Sequence, residues 1–379
     1  MCGLTEPALP IARPRGSGEQ EHRRLHLRGH VLPEGQVRDV YVVGGRITFE
    51  SPGGVEPVVD GGWLVPGLVD GHAHLALASP AGPGATEEER VEASARAQLA
   101  AGVLLIREPG SPGHASRGVG PERGLPRTTT AGRFLAPPGG YFPGLAREVV
   151  ADQLPAAVSE EAAAGTGWVK LVGDFPDEHG RLTPNWESDA LRVAAGAAHA
   201  AGARITVHAV MPETILAAVQ AGFDAIEHGT GMPPDLVPEL AVHDVTWVPT
   251  LLISDGVGDW ARTGMAPSEG PRVEAWLEAL PATVAAAAAA GVRLLAGTDA
   301  GMVPHGMVAA EVGQLVRAGV PNATAVAAAS WEGRRYLGLP GLEEGAPADI
   351  VALPEDPRVD PGVLSRHSLT VLAGRLVAR

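Results

Sequence analysis

The sequence has very little lysine and cysteine and no long, purely hydrophobic run. Of its 29 lysine and arginine residues, only Lys170 is a lysine. The single cysteine, Cys2, excludes an internal disulfide framework and predicts a reducing compartment, the cytoplasm. The most apolar stretch, residues 282–297, is mostly alanine and contains Arg293, so we expect no membrane span. A formal net charge of −15 argues against nucleic acid or an anionic membrane as a partner.

The chain is long enough for one large domain and an accessory domain. Its 379 residues are 45% hydrophobic, which is typical of a folded soluble protein. Residues 1–21 are rich in proline, arginine, glycine and glutamate and predict a flexible tail. Residues 22–65 and 345–379 contain short β-type runs separated by glycine and proline. We therefore expect the two chain ends to form one small β-sandwich domain beside a larger unit, residues 66–344.

The middle of the chain alternates short apolar runs with alanine-rich helical stretches. Apolar strands separated by helices indicate a parallel sheet that is covered on both faces, and eight such units fit a (β/α)₈ TIM barrel. A doubly wound open sheet is the alternative, but no Gly-x-Gly-x-x-Gly follows the first run. The eight runs are residues 65–74, 103–108, 127–134, 168–174, 204–210, 225–229, 246–250 and 292–299. The helical candidates include residues 87–101, 188–201, 213–221, 273–290 and 323–337.

Residues that can bind metal stand at the ends of several runs. His72 and His74 are two apart in a strand, so they point to the same face and can converge on one ion. His208, His228 and Asp299 come at the ends of the fifth, sixth and eighth runs. Each alone could be a hydrogen-bonded core residue or a helix cap. In a barrel, however, all strand ends face one pocket, so together these donors predict a site for zinc or a similar divalent ion.

Lys170 lies within the apolar fourth run, where a buried ammonium is costly unless it is paired or chemically altered. A lysine amine can lose its proton in an apolar setting and act as a nucleophile, whereas arginine keeps its charge. Two hypotheses remain open at this point. Lys170 is either a functional amine or a plain ammonium paired with Asp174 or Glu227.

Several motifs accompany these residues. Residues 65–74 are Val-Pro-Gly-Leu-Val-Asp-Gly-His-Ala-His, residues 226–229 are Ile-Glu-His-Gly, residues 297–301 are Gly-Thr-Asp-Ala-Gly, and residues 345–351 are Gly-Ala-Pro-Ala-Asp-Ile-Val. With these motifs the chain, from about residue 22 onwards, resembles the amidohydrolase superfamily of metal-dependent hydrolases. Within that superfamily it is similar to the imidazolonepropionase-like and Xaa-Pro dipeptidase-related branch.

The resemblance implies two divalent metal ions, with zinc as the expected metal. Lys170 would be carboxylated by carbon dioxide to a carbamate that bridges both ions, and a shared hydroxide would attack the substrate carbonyl. Asp299 would act as general base and then as general acid toward the leaving nitrogen. The implied metal-binding residues are His72, His74 and Asp299 for the first ion, His208 and His228 for the second, and Lys170 between them.

Departures from the family pattern affect the substrate pocket. Related dipeptidases usually carry tyrosine two residues after the strand-five histidine, where this chain has Val210. Relatives often have Gly-Gly-His after strand three, whereas here the residue after the two glycines is Tyr141. The aspartate that usually follows the strand-two arginine is Glu108 in this chain. Tyr141, His305 and Arg107 are the candidates for substrate binding.

We expect a hydrolase that cleaves a carbon–nitrogen bond in a small molecule, a non-peptide or cyclic amide. The same centre would also suit an esterase, lactonase or phosphotriesterase, or an Xaa-Pro dipeptidase. A mononuclear centre of the imidazolonepropionase or deaminase type would lack a bridging lysine, so Lys170 argues against it. A non-catalytic relative that kept the fold for binding is a further alternative. The sequence is also compatible with a homo-oligomer.

Overall fold

A computed structural model describes residues 24–378. The predicted tail of residues 1–21 lies outside the described residues. The strands are β1 (Leu25–Val31), β2 (Gln36–Val43), β3 (Arg46–Thr48), β4 (Val59–Pro66), β5 (Leu68–Asp70), β6 (Val103–Glu108), β7 (Arg127–Thr130), β8 (Phe134–Ala136), β9 (Ala146–Glu148), β10 (Trp168–Val172), β11 (Asp174–Pro176), β12 (Leu182–Pro184), β13 (Arg204–Ala209), β14 (Ala225–His228), β15 (Thr246–Val248), β16 (Ile350–Leu353), β17 (Leu369–Leu372) and β18 (Arg375–Leu376).

The two chain ends meet in one β-domain, as expected. Its seven strands have the order β18-β17-β16-β4-β1-β2-β3, so strands from the C-terminal end hydrogen-bond to β4 from the N-terminal end. Their hydrogen bonding forms one continuous sheet, where the expected β-sandwich implies two. One face buries a small apolar core that includes Leu27, Val40 and Ile350. The predicted domain boundaries, residues 22–65 with 345–379 and residues 66–344, stay a prediction.

The barrel consists of parallel strands that follow one another around the ring. One sheet pairs β5, β6 and β7, and a second pairs β8, β10, β13, β14 and β15 in that order. The predicted third run is broken: β7 pairs with β6, and β8 pairs with β10 after a turn at Gly132, whose φ of 70° is left-handed. The predicted TIM barrel with a β-domain is thus confirmed.

The eighth run closes the ring without forming a regular strand. The Leu295 amide donates to the Trp247 carbonyl on one side, and the Gly71 amide donates to the Ala296 carbonyl on the other. Gly71 and Gly297 permit this close approach. A Cβ atom at Gly297 would lie 2.6 Å from the Cβ atom of His72, well inside van der Waals contact.

Helices surround the barrel and bury their apolar faces against it. The helix after β5 begins with a capping box, in which Thr86 accepts from the Glu89 amide and Glu89 accepts from the Thr86 amide. The predicted helix over residues 323–337 is broken at Ser330, whose hydroxyl donates to the Pro66 carbonyl. The helices are α1 (Glu87–Ala100), α2 (Leu154–Ala164), α3 (Ser188–Ala200), α4 (Pro212–Ala221), α5 (Val237–Val242), α6 (Ser254–Thr263), α7 (Glu269–Ala289), α8 (Val308–Arg317), α9 (Asn322–Ala328) and α10 (Trp331–Tyr336).

Two further features complete the fold. Within residues 24–378, every helix is too short or too polar to span a bilayer. Short 3₁₀ helices cover Ala115–Gly118, Pro121–Arg123, Ala151–Gln153, Pro234–Leu236, Leu251–Ile253 and Pro361–Arg366.

Candidate metal centre and active site

All six predicted metal-binding residues line one cavity at the carboxyl ends of the barrel strands. The cavity has a volume of about 390 Å³, within the range of small-molecule sites. Its other lining is mostly apolar. We call the six residues the metal-centre candidates: His72, His74, Lys170, His208, His228 and Asp299.

Three atoms that can bind a metal ion converge at one point of the cavity lining. The Nε2 atoms of His72 and His74 lie 3.1 Å apart. Each lies 3.3 Å from Oδ1 of Asp299. In a tetrahedral zinc site with bonds of about 2.0–2.1 Å, neighbouring donors lie about 3.3 Å apart. The spacing of the three donors therefore fits a single bound zinc ion or a cation of similar size.

The hydrogen bonds of the His72 and His74 rings indicate which nitrogen atom of each ring is left to bind a cation. Nδ1 of His72 lies 2.7 Å from Oε2 of Glu227, and Nδ1 of His74 lies 2.7 Å from the Gly110 carbonyl oxygen. Both partners are acceptors, so in the neutral rings Nδ1 carries the proton and Nε2 presents a lone pair. Two lone pairs and an Asp299 oxygen then face one another with no donor between them. This arrangement fits a divalent ion, with Glu227 and Gly110 orienting the ligands.

The surroundings alter the pKa values of these groups. Burial lowers the pKa of His72, but the carboxylates of Asp299 and Glu227 outweigh burial and raise it. Burial lowers the pKa of His74. Burial would raise the pKa of Asp299, but the neighbouring imidazole of His72 holds it well below its ordinary value. Asp299 is therefore ionised at neutral pH.

His208 and His228 form a second pair beside the first. Their ring centroids lie 4.7 Å apart, and the His228 ring centroid lies 5.0 Å from that of His72. Nδ1 of His228 is 2.9 Å from the Thr250 hydroxyl, which fixes the ring. Burial lowers the pKa of His208 to about 3 and that of His228 well below its ordinary value. Both rings are thus neutral, the form in which imidazole binds a metal.

Lys170 faces the cavity from β10 and is 1% exposed. It forms no ion pair with a carboxylate of residues 24–378. The two carboxylates considered from the sequence bind other groups. Asp174 accepts from the Val210 and Met211 amides, and Glu227 pairs with Arg107. Burial lowers the pKa of Lys170 to about 8. The structure therefore shows no direct ion pair of Lys170 with Asp174 or Glu227.

Glu227 connects the first pair of histidines to the barrel interior. Its Oε2 atom accepts from His72, and its Oε1 atom lies 2.8 Å from Nη2 of Arg107. The Thr206 hydroxyl donates to the same carboxylate. Burial would raise the pKa of Glu227, but the Arg107 guanidinium and His72 hold it well below its ordinary value. An ionised Glu227 thus orients the His72 ring from below.

Arg107 belongs to this support and does not line the cavity. It is fully buried, donates to the Gly71 carbonyl, and stacks on the Trp168 ring with 4.0 Å between the guanidinium carbon and the ring centroid. Arg204 lies over Trp168 as well, 4.1 Å from a ring centroid. The structure therefore does not support the expectation that Arg107 contacts substrate, because Arg107 is fully buried, pairs with Glu227 and does not line the cavity.

The other two substrate candidates differ in position. Tyr141 lines the cavity, with its ring centroid 6.0 Å from that of His208. Burial raises the pKa of Tyr141, so its hydroxyl keeps its proton. His305 packs beside the cavity wall and lies 3.3 Å from the Leu77 carbonyl oxygen, outside the lining. Of the three candidates, only Tyr141 is placed to meet a substrate.

Three residues at or beside the metal-centre candidates have a strained backbone. His228, Asp299 and Thr250 have φ angles of 63°, 54° and 48°, in the left-handed region that non-glycine residues seldom occupy. Each such residue costs on the order of 1–3 kcal/mol and persists only where the surroundings impose it. At Asp299 the amide donates to the His72 carbonyl, which ties the eighth run to the first. The strain thus falls on groups that a bound ion and its neighbours would use.

Apart from Tyr141, the sequence did not reveal the aromatic side of the pocket. Tyr141, Phe142, Phe175 and Trp260 pack together there, and we call them the aromatic wall. Ring centroids of Phe142 and Phe175 lie 4.9 Å apart, and that of Trp260 lies 5.7 Å from Phe175. Trp260 lies in α6, in the segment after β15. Only its contacts with the other rings show that it lines the cavity.

Comparison with known proteins agrees with this architecture. A model of the amidohydrolase family matches residues 63–376. An uncharacterised protein of Mycobacterium tuberculosis is 42% identical over 358 residues, covering 93% of this chain and 95% of that protein.

Solved structures share the fold at low identity. The structure of a Xaa-Pro dipeptidase with bound methionine has a TM-score of 0.79 at 22% identity, covering 94% of this chain and 100% of the other. Aspergillus niger ochratoxinase has a TM-score of 0.77 at 18% identity, covering 93% and 95%. These likenesses show the fold. Since the family match spans most of the sequence, the chain belongs to the amidohydrolase family and is a hydrolase of the metal-dependent kind.

Proposed function

We propose that this protein hydrolyses a carbon–nitrogen bond, in a non-peptide or cyclic amide, with two divalent ions at the floor of the barrel pocket. The ion nearer β5 would be held by His72, His74 and Asp299, and the other by His208 and His228. Zinc is the proposed metal. The observation that carries the proposal is the convergence of Nε2 of His72, Nε2 of His74 and Oδ1 of Asp299, which lie 3.1–3.3 Å from one another.

Lys170 is proposed to bridge the two ions as a carbamate. Its neutral amine would attack carbon dioxide, so that an Nζ–C bond forms and one proton leaves to solvent. The product is an anion in place of an ammonium, which would suit a site where His72, His74, His208 and His228 hold divalent cations. A buried ammonium without an ion pair supports this modification, because carboxylation removes the cost of burying that charge.

The chain's own residues supply proton transfer and orientation. When bound, divalent ions lower the pKa of water and polarise a carbonyl oxygen. Asp299, which is ionised, would accept the proton of the attacking water and deliver it to the leaving nitrogen as the C–N bond breaks. The Tyr141 hydroxyl, which stays protonated, would donate a hydrogen bond to the carbonyl oxygen. Glu227 would hold the His72 ring.

The structural neighbours include enzymes of different kinds. One neighbour is a Xaa-Pro dipeptidase and another is an ochratoxinase. Val210 occupies the position where related dipeptidases have tyrosine, and it lines the cavity here. The pocket therefore lacks a hydroxyl at the position just after β13, and Tyr141 on the loop after β8 is the proposed replacement. A non-peptide amide is accordingly favoured over an Xaa-Pro dipeptide.

Metal content per chain is the first test. Protein purified without chelator, with bicarbonate present, should contain about two ions, and a Lys170→Ala variant should contain one or fewer. Mass spectrometry of the native parent should show a mass increase equal to one carbon dioxide that is absent from the variant. One ion in both proteins would contradict the carbamate-bridged centre and favour a mononuclear one.

A substrate panel is the second test. The metal-loaded protein should hydrolyse amides or lactams, measured against esters of the same acyl group. Faster turnover of every ester than of its matched amide would favour an esterase or lactonase. Failure of all amides, lactams, esters and phosphotriesters at full metal occupancy would contradict the proposed function.

A further inference from the structure

Charged and apolar side chains are sorted to opposite faces of α6, the helix that covers the pocket. Gly256, Val257 and Trp260 line the cavity. Asp255 and Asp259 line a separate crevice on the other side of the same helix, together with Arg262. A period of 3.6 residues places these two sets on opposite faces. The charges of α6 therefore point away from the substrate.

The rest of the pocket is neutral as well. Apart from the metal-centre candidates, the lining that residues 24–378 provide contains no charged side chain. Tyr141 and Thr230 are its neutral polar groups, and the remainder is aromatic, aliphatic or backbone. The aliphatic side chains include Leu145, Leu252 and Val273. A terminal ammonium or carboxylate bound here would lose water and gain no partner, which is costly.

Aromatic residues are scarce in this chain yet concentrated in this wall. Only 4% of the residues are aromatic, with 5 phenylalanines and 3 tyrosines, yet the aromatic wall contains two of the former and one of the latter. Its rings are in mutual contact, with centroids of Tyr141 and Phe175 5.1 Å apart. Flat, rigid surfaces of this kind bind aromatic or bulky apolar groups by stacking and by burial of apolar area.

We propose that the substrate is uncharged outside its reacting bond and carries an aromatic or similarly bulky apolar group that binds against the aromatic wall. This inference rests on the proposed function and narrows it. The metal centre would activate the water that attacks the carbonyl, while the aromatic wall would select neutral amides over zwitterionic dipeptides. The cavity volume of about 390 Å³ fits a molecule of two such groups joined by an amide.

The experiment compares neutral anilides with a negatively charged anilide and a zwitterionic dipeptide. With metal-loaded enzyme, kcat/KM is measured for 4-nitroacetanilide, 4-methylacetanilide, 4-acetamidobenzoate and the dipeptide Phe-Pro. The neutral anilides should exceed the carboxylate by at least about 100-fold, because the carboxylate has no partner in the wall. Equal or faster turnover of 4-acetamidobenzoate or Phe-Pro would overturn the inference.

Two variants test the wall itself. Val257→Arg places a guanidinium on the cavity face of α6 and should reduce the preference for neutral anilides at least about tenfold. Val242→Arg adds the same side chain at a position that is 76% exposed, and should leave the preference unchanged. If Val257→Arg does not fold, Trp260→Ala provides the test. It should lower kcat/KM for the anilides about tenfold. An unchanged preference in a folded variant would overturn the inference.

Binding separates this inference from the proposed function. Calorimetry with an Asp299→Asn variant measures the affinity for the neutral and charged anilides without turnover. If the metal-loaded parent hydrolyses no amide, but the neutral anilides bind the Asp299→Asn variant at least tenfold more tightly than the charged anilide does, the proposed function fails and the inference stands. If amides are hydrolysed but charged and neutral anilides bind alike, the proposed function stands and the inference fails.

Discussion

The carboxylate of Glu227 offers the sharpest test of how the fold prepares the metal centre. Glu227→Gln keeps the size of the side chain but removes its charge. The variant loses an anionic acceptor for two buried groups, His72 at 2.7 Å and Arg107 at 2.8 Å. Loss of such a partner behind a metal-binding histidine typically costs about 10–100-fold in metal affinity. That range equals about 1.4–2.7 kcal/mol of binding free energy.

The chain provides a matched control in Glu161. This glutamate is 1% exposed, and its carboxylate lies 2.8 Å from His114 and 3.0 Å from Arg147, far from the metal-centre candidates. Glu161→Gln removes the same charge from a similar set of partners. Both variants should lower the free energy of unfolding of the metal-free protein by about 1–3 kcal/mol. Only Glu227→Gln should weaken metal binding.

The assay measures zinc affinity in metal-buffered solution and unfolding in urea with and without zinc. A ligand that binds only the folded state stabilises it in proportion to the logarithm of its affinity. The gain in unfolding free energy on adding zinc should thus fall by about 1.4–2.7 kcal/mol in Glu227→Gln and stay unchanged in Glu161→Gln. Equal zinc affinity in the parent and Glu227→Gln would refute the reasoning, as would an equal loss in both variants.

Three further predictions follow from the same geometry. Asp299→Asn should lower kcat by about 10²–10⁴-fold, measured on the best amide of the panel, while an anilide still binds. Gly297→Ala should destabilise the protein by about 1–3 kcal/mol in urea unfolding, since its Cβ would lie 2.6 Å from that of His72, whereas Gly196→Ala, with no atom within 4 Å, should not. Burial raises the pKa of Glu311 to about 8, above its value in the unfolded chain, so this group stabilises the protein at low pH and loses that effect as pH rises toward 8. Glu311→Gln should therefore flatten the fall in unfolding free energy between about pH 5 and 8 by about 3–4 kcal/mol; a slope identical to the parent's would contradict this.

The sequence predicted the barrel and the metal-centre candidates because both depend on local sequence patterns. A histidine pair two residues apart, such as His72 and His74, must point to one side of a strand. Strand ends share one face in a barrel, which is why Asp299 could be placed beside them from the chain alone. The structure brings these residues together at the distances given above.

The residues that orient the metal-centre candidates, and most of the aromatic wall, could not be predicted in this way. Arg107 and Glu227 pair across the barrel interior, and nothing near either residue in the sequence indicates the other. The helical pattern of α6 shows that it has two faces, but only its packing shows that Trp260 faces the pocket. The breaks at Gly132 and Ser330 likewise arise from contacts with distant residues: the Arg133 amide donates to Glu161, and Ser330 donates to Pro66.

The β-domain that joins the two chain ends has a consequence for synthesis on the ribosome. β4 hydrogen-bonds to β1 on one side and to β16 on the other, and β16 emerges only after the whole barrel. Until then one edge of β4 has no neighbouring strand, and an open edge can pair with another nascent chain. We therefore expect a truncation just before β16 to aggregate during expression, even though it retains every residue of the candidate metal centre.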